Sequence, residues 1–545
     1  MSDASLTSTG RLSGGEPAPS GRPDLEGGGH AAGIVVFLVL LLIGLAFTAR
    51  GLIGDIDASD TPPLALGVFV LLGLALLIAL GFEFVNGFHD TANAVATVIY
   101  THSLKPMVAV VWSGAFNFLG VLTSSGAVAF AVVSLLPVEL ILQVGGSAGF
   151  DMIFALLIAA IVWNLGTWWL GLPASSSHTL VGSIIGVGLA NQLMAPAGSA
   201  TSGVDWSQAM GVFKALLVSP IVGFVCSALL LLAMKALVKS KSLYQAPKSK
   251  GAPPLWIRGL LILTCTGVSF AHGSNDGQKG MGLIMLILIG ALPTAYALNR
   301  AVPDSQMPAF ISATQQVQQV FEAKADHITV SPEAARTQVT DALKLRELDN
   351  PQTYASLAAL SQSVGAAVKN YGSISRVPAA AVQNIRNDMF MVSEAIRILQ
   401  KQGVAFTDAD AKAIKDYRAA IDDSTKFIPL WVKVAVAVAL GLGTMVGWKR
   451  IVVTVGEKIG KTHLTYAQGA SAELVAMLTI GAADMYGLPV STTHVLSSGV
   501  AGTMMANGSG LQWSTVRSLI MAWVLTLPAA ILMSGTLYFL LRQTH

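Results

Sequence analysis

Charged side chains are scarce. Asp, Glu, Lys and Arg make up 12% of 545 residues, about half the share usual in soluble domains. With 53% hydrophobic residues and a mean hydropathy of +0.64, that shortage excludes a water-soluble globular protein and describes a membrane chain. Cysteine is scarcer still. Cys226 and Cys265 both lie in apolar stretches far apart in sequence, so no disulfide framework is implied. A net charge of +3 is too small to suggest nucleic-acid binding. No Gly-x-x-x-x-Gly-Lys-[Ser/Thr] loop exists, the nearest approach, Gly456 to Thr462, being one residue short, so ATP-driven pumping lacks its phosphate cradle. Nor does the N-terminus follow a signal-peptide pattern: residues 1–32 are Gly-, Ser- and Pro-rich with mixed charges and read as a disordered tail.

The charges that are present are unevenly placed. Residues 301–430 hold 27 of the 63, so the expectation is an all-α polytopic membrane protein with one hydrophilic insert. Apolar runs long enough for the ~30 Å hydrocarbon core occur near 34–54, 63–87, 107–136, 151–172, 211–238, 255–272, 277–299, 429–448, 464–487 and 514–541. Two shorter ones, 174–194 and 489–506, start at Pro-x-Ser motifs and are broken by glycine, which suits re-entrant helices better than plain spans. Ten to twelve crossings are expected. The domain reading is a tail 1–32, an extra helix 33–62, a first membrane repeat 63–240, a basic cytoplasmic linker 241–254, the start of a second repeat 255–299, a helical insert 300–428, and the remainder of the second repeat 429–541. Lys235, Lys239, Lys241, Lys248, Lys250 and Arg258 place that linker in the cytoplasm.

Duplication carries most of the organisation. Gly87-Phe88-His89-Asp90-Thr91-Ala92-Asn93 matches Gly273-Ser274-Asn275-Asp276-Gly277-Gln278-Lys279 at an offset of 186 residues. Pro173-Ala174-Ser175-Ser176-Ser177-His178-Thr179 matches Pro489-Val490-Ser491-Thr492-Thr493-His494-Val495 at an offset of 316. The difference, 130, is almost the length of the insert, so without it both motif pairs share one register. Duplicated transporters place substrate where the repeats meet at mid-membrane, and an inverted repeat needs an odd number of crossings per half.

The motifs supply two chemistries. Asp90 and Asp276 are carboxylates in apolar sequence, and intramembrane acids mark functional sites by default; the bland alternative is that each caps a helix start. His89, Asn93 and Asn275 beside them complete a set of ligands for a small cation or a proton. Glu83, Thr91 and Gln278 are weaker members. The Ser175-Ser176-Ser177 and Ser491-Thr492-Thr493 runs follow prolines and open apolar stretches, so unpaired first-turn amides and several hydroxyls form an anion cradle without fixed positive charge. His178 and His494, of second rank, orient those hydroxyls, take a proton or serve structure alone. Asn164, Thr167 and Trp168 read as packing residues, and Glu473 and Asp484 as caps or salt-bridge partners.

These four motifs resemble the paired signatures of the Pit-type inorganic phosphate transporters, with likeness over nearly all membrane segments from about 63 to 541 and closest to the bacterial low-affinity, proton-coupled branch. The resemblance implies an inverted-repeat transporter in the inner (plasma) membrane, not an enzyme, which imports inorganic phosphate, in bacteria often as a neutral divalent metal–phosphate complex such as that of Mg²⁺. It implies that Ser175, Ser176, Ser177, Ser491, Thr492 and Thr493 bind phosphate and that Asp90, Asn93 and Asp276 form the cation-coupling site. No resident cofactor is implied, and a homodimer is compatible with it. One departure stands out. Sodium-coupled relatives tend to read Asn-Asp-x-x-Asn twice, whereas this chain has His89 before the first Asp and Lys279 three residues after the second. A tethered ammonium and a group of the type that titrates near neutral pH favour protons over sodium.

Sodium coupling and sulfate transport on the same fold are the nearest alternatives; sulfate carries no proton near neutral pH. An intramembrane hydrolase of Ser177, His178 and an Asp is disfavoured, because adjacent helical side chains point apart. The Gly145-Gly146-Ser147-Ala148-Gly149 match lacks the strand-to-helix setting of a nucleophile elbow. A channel or sensor is disfavoured, because the buried acids and the broken repeat point to alternating access.

Overall fold

The computed structural model describes residues 23–25, 31–59, 61, 64–142, 147–196, 201, 203–247 and 251–544, excluding the side chains of 31, 32, 91–93 and 147. The expected tail over 1–32 lies almost wholly outside them. The membrane part begins with α1 (Ala31–Ala58), α2 (Leu66–Tyr100), α3 (Pro106–Thr123), α4 (Ser147–Trp169), α5 (Ser176–Leu193), α6 (Trp206–Leu237) and α7 (Leu255–Ala291). Five helices then form the insert: α8 (Met307–Lys324), α9 (Pro332–Leu345), α10 (Pro351–Tyr371), α11 (Ala379–Lys401) and α12 (Asp408–Thr425). The chain returns through α13 (Leu430–Thr444), α14 (Tyr466–Met485), α15 (Thr492–Asn507) and α16 (Trp513–Arg542). Among the described residues the only β pairing is an isolated bridge between Gly460 and Leu511.

Among the described residues seven helices, α1 to α4, α6, α7 and α16, are long and apolar enough to cross a membrane. Together with α13, α14 and the short arms α5 and α15 packed among them, they make eleven. Leu217, Ile221, Leu229, Val524 and Leu532 are exposed on α6 and α16. Such an apolar surface is stable only against lipid. The insert has a core of its own, built on Val317, Phe321, Leu357, Met389 and Tyr417.

Two sequence expectations give way. The runs 255–272 and 277–299 are not two spans: α7 passes unbroken through Gly273 to Gly280. The run 107–136 is not one span, because α3 ends at Thr123 and a short helix, Ala127–Val133, follows Gly126 with φ +89°. The bland alternative for the two acids falls as well: Asp90 and Asp276 sit mid-helix and cap nothing. The glycines that look like breaks serve close packing instead. A Cβ on Gly273 would lie 2.2 Å from the Asn117 carbonyl oxygen, and one on Gly120 2.1 Å from that of Phe270, so α7 and α3 touch backbone to backbone. Gly87 and Gly443 join α2 to α13 in the same way.

The two halves are thereby intertwined. The first helix of each half, α2 or α7, packs on the second helix of the other, α13 or α3. The last helix of each half, α6 or α16, packs on the short arm of the other half's hairpin, α15 or α5. The hairpins are α4–α5 and α14–α15, both turned at the Pro-x-Ser motifs. With each hairpin returning to its own side, a half has three crossings, the odd number that an inverted repeat requires.

Candidate functional site

Each hydroxyl run sits at the start of a short arm, where sequence dictates a cap. Ser175 and Ser491 are the N-cap residues of α5 and α15, and their side-chain oxygens accept the backbone N–H of His178 at 3.2 Å and of His494 at 3.1 Å. Capping uses one acceptor lone pair of each hydroxyl and leaves its hydrogen to donate. The next residues reach across. Ser176 donates to Asp90 Oδ2 at 2.5 Å and lies 3.4 Å from Asp276 Oδ2. Thr493, from the opposite hairpin, donates to Asp90 Oδ1 at 2.7 Å. Ser177 receives the Lys279 ammonium at 2.5 Å and donates to the Val490 carbonyl at 2.7 Å. Thr492 Oγ1 is buried with no hydrogen-bond partner among the described residues. The two cradles and the two carboxylates thus form one cluster.

The carboxylates are held from the helix side as well. His89 Nδ1 lies 2.9 Å from Asp90 Oδ1, and its Nε2 lies 3.2 Å from Thr167 Oγ1. Lys279 Nζ is 2.7 Å from Asp276 Oδ1, with both side chains out of solvent. His272 Nε2 is 3.5 Å from Asp276 Oδ2, and its Nδ1 meets Asn117 Oδ1 at 2.9 Å. Asp90, His272 and Asp276 each offer a ligand atom within 4.8 Å of the others, a grouping that could hold a metal ion.

Other sequence candidates are brought elsewhere. Asn275 faces the turn of the second hairpin, donating to the Leu488 carbonyl at 3.1 Å. Gln278 bridges Asp484 Oδ1 at 2.6 Å and the backbone N–H of Val128 at 2.9 Å. Asp484 also accepts Ser274 at 2.6 Å, so it ties the hairpin to α7. The His178 and His494 rings pack on each other at 4.6 Å, and His494 stacks on Trp523 at 4.2 Å. These ring contacts join the starts of the two arms to each other and to α16. Glu83 is buried against Gly280, one residue beyond Lys279. The side chains of Thr91 and Asn93 lie outside the described residues. Asn164 accepts Thr179 at 2.9 Å and Trp168 donates to the Gly447 carbonyl at 2.7 Å.

Two site features escape the sequence reading. His272 falls just before the matched motif. It becomes visible when the register is carried back one turn: Asn86, His89, Asp90 and Asn93 then face His272, Asn275, Asp276 and Lys279, a spacing that lines one side of each helix. Glu473 is completely buried and accepts hydroxyls from Thr97 on α2 and from Thr264 on α7, a convergence that no local pattern announces.

Residues 86–534 match the model of the phosphate transporter family. The low-affinity inorganic phosphate transporter PitA of Escherichia coli (strain K12) is 43% identical over 494 residues, covering 87% of this chain and 97% of its own. PitB of the same organism is 42% identical, covering 88% and 99%. A probable low-affinity inorganic phosphate transporter of Bacillus subtilis (strain 168) is 28% identical, covering 87% and 98%. Among solved structures, a sodium-dependent phosphate transporter aligns with a TM-score of 0.48 at 21% identity, over 87% of this chain and all of that one.

Proposed function

The chain belongs to the phosphate transporter family, and from that premise we propose that it is a secondary active transporter that imports inorganic phosphate by symport with protons across the inner membrane. One observation carries the reading. Hydroxyls from two facing helix starts, Ser176 and Thr493, meet on the single carboxylate of Asp90, with Lys279 and Asp276 in the same cluster. A tetrahedral oxyanion entering there takes over the hydroxyl donors and the open amides of both arms. Phosphate brings a proton that a carboxylate accepts from it, whereas sulfate brings none.

Lys279 supports proton over sodium coupling. It stands at the position matched by Asn93 in the first copy, where a neutral oxygen ligand would serve a mobile ion. Its ammonium already neutralises Asp276, so the second half needs no bound sodium. Asp90, His272 and Asp276 supply oxygen and imidazole ligands for a divalent ion travelling as part of a metal–phosphate substrate.

The test is uptake of labelled phosphate into proteoliposomes under an inside-alkaline gradient, sodium-free, with and without Mg²⁺ and with sulfate in competition. Accumulation that follows the pH gradient, resists sulfate and disappears in Asp90→Asn and Asp276→Asn is expected. Uptake that requires sodium and ignores the gradient overturns the proton coupling, and displacement by sulfate overturns the choice of anion. A requirement for Mg²⁺ identifies the metal complex as the transported species.

A further inference from the structure

A second concentration of charge lies away from the hydroxyl cradles, where the insert meets the membrane helices. Arg386, Arg397, Arg418 and Lys426 line a cavity of about 340 Å³ there, with Glu394 the one carboxylate in the lining. The facing wall is apolar, with Phe130, Met285 and Ile289 in it. Three of the cations have counter-charges. Arg397 pairs with Asp205 at 2.5 Å and with Glu394. Lys426 pairs with Asp422 at 2.8 Å, and Arg418 reaches the same carboxylate at 3.8 Å.

Arg386 has none. It is 7% exposed. Among the described residues its partners are the Asn387 side-chain oxygen at 3.1 Å and the face of Phe390 at 5.0 Å. Burial alone pulls its guanidinium down to about 10. Two more donors on this wall, Arg397 Nη1 and Arg418 Nε, are buried without hydrogen-bond acceptors. Burying a charge unpaired is among the costliest features a fold can contain. One guanidinium without a counter-charge and two donors without acceptors, all around one cavity, are explained together if an anion supplies the missing partners.

We propose that this cavity is a second anion site, distinct from the transport site, which takes a phosphate group either free or on the headgroup of a lipid. Guanidinium forks match phosphate oxygens in pairs, and the apolar wall suits the hydrocarbon part of an amphiphile. The site is placed to act on transport. Gly282 is part of its lining and lies one turn beyond Lys279 on α7. An occupied site fastens the insert to the helix that carries Asp276 and Lys279, so it senses phosphate or lipid where the transport cluster is anchored.

The test uses the full chain carrying Asp90→Asn, which silences the transport site, with and without Arg386→Met. One arm titrates inorganic phosphate into protein held in dodecyl maltoside, free of added lipid. A second adds phosphatidylglycerol and a third adds oleate, an anionic amphiphile without phosphate. Thermal unfolding and hydrogen exchange over Ala379–Lys401 report binding. Phosphate or phosphatidylglycerol is expected to raise the midpoint and slow exchange, with an affinity that falls about tenfold when Arg386 loses its charge-assisted bonds. Which of the two acts tells the free anion from the headgroup. If oleate does as well, the phosphate assignment is wrong; if no effect depends on Arg386, the site is wrong. Arg418→Gln, on the same wall, serves if Arg386→Met does not fold. Failure of the transport reading would leave the Arg386 dependence untouched, because that appears without Asp90.

Discussion

Lys279 and Asp276 form an ion pair, 2.7 Å apart, in which neither side chain reaches solvent. Such a pair contributes little when intact and is very destabilising when halved, because the surviving charge is left buried. Lys279→Met alone and Asp276→Asn alone should each cost about 3–5 kcal/mol, and the double variant should recover most of it. A double-mutant cycle in thermal or denaturant unfolding checks this. Non-additivity is the expected result, and additive losses would mean that the two groups do not sense each other.

Ser175 and Ser176 are neighbours with different duties. Ser175 caps α5, so Ser175→Ala should cost about 1 kcal/mol of stability and spare most uptake per folded molecule. Ser176 bridges toward both carboxylates. Ser176→Ala leaves a buried acceptor short of a donor, worth about 1–3 kcal/mol, and should lower phosphate uptake by about tenfold to a hundredfold. Initial rates normalised to folded protein distinguish them.

Two glycines of α7 should respond oppositely to a methyl group. A Cβ on Gly273 would meet backbone atoms of Asn117 at 2.2 to 2.8 Å, while one on Gly259 meets nothing within 4 Å. Gly273→Ala should destabilise by about 1–3 kcal/mol through overpacking. Gly259→Ala should be neutral or stabilise by up to about 1 kcal/mol through helix propensity. Unfolding midpoints of the two variants settle it.

Asp205 joins the start of α6 to the insert, with Arg346 at 3.0 Å and Arg397 at 2.5 Å. Burial would raise its carboxyl, but Arg397 and the backbone N–H of Gln208 overcome that and hold it well below the ordinary range. A depressed carboxyl stabilises fully above its unfolded value, about 4, and loses that contribution only as pH falls further. Attachment of the insert should therefore be flat from pH 8 to 5 and weaken only in stronger acid. Asp205→Asn should loosen it throughout that range, seen as faster exchange in α11. A pH dependence of transport near neutrality must then arise elsewhere.

Much of this was legible in residue order. Asp90, Asp276 and the two hydroxyl runs are duplicated at fixed offsets, and the structure draws Asp90, Asp276, Ser176, Ser177, Thr493 and Lys279 into one cluster. What stayed hidden depends on partners distant in sequence. Gly273 and Gly277 read as a helix break until Asn117 and Val121 of α3 are seen to need the space beside them. Glu473 reads as a cap because its partners, Thr97 and Thr264, come from two other helices. Asn275 and Gln278 carry the residue types of ion ligands, yet the second hairpin's turn claims one and Asp484 the other.

The exchange of closing helices between halves bears on how the chain is made. The arm that begins at Ser176 is covered by α16, whose Trp523 donates to the Pro173 carbonyl at 3.0 Å and whose backbone abuts Gly186. α16 follows every other described helix in chain order. Until it arrives, the polar mouth of the first hairpin has no lid, although everything before it has long been inserted. The nascent first half must wait in the bilayer until the second half has been made, and a chain stopped before Trp513 would keep its earlier spans yet never complete the first half.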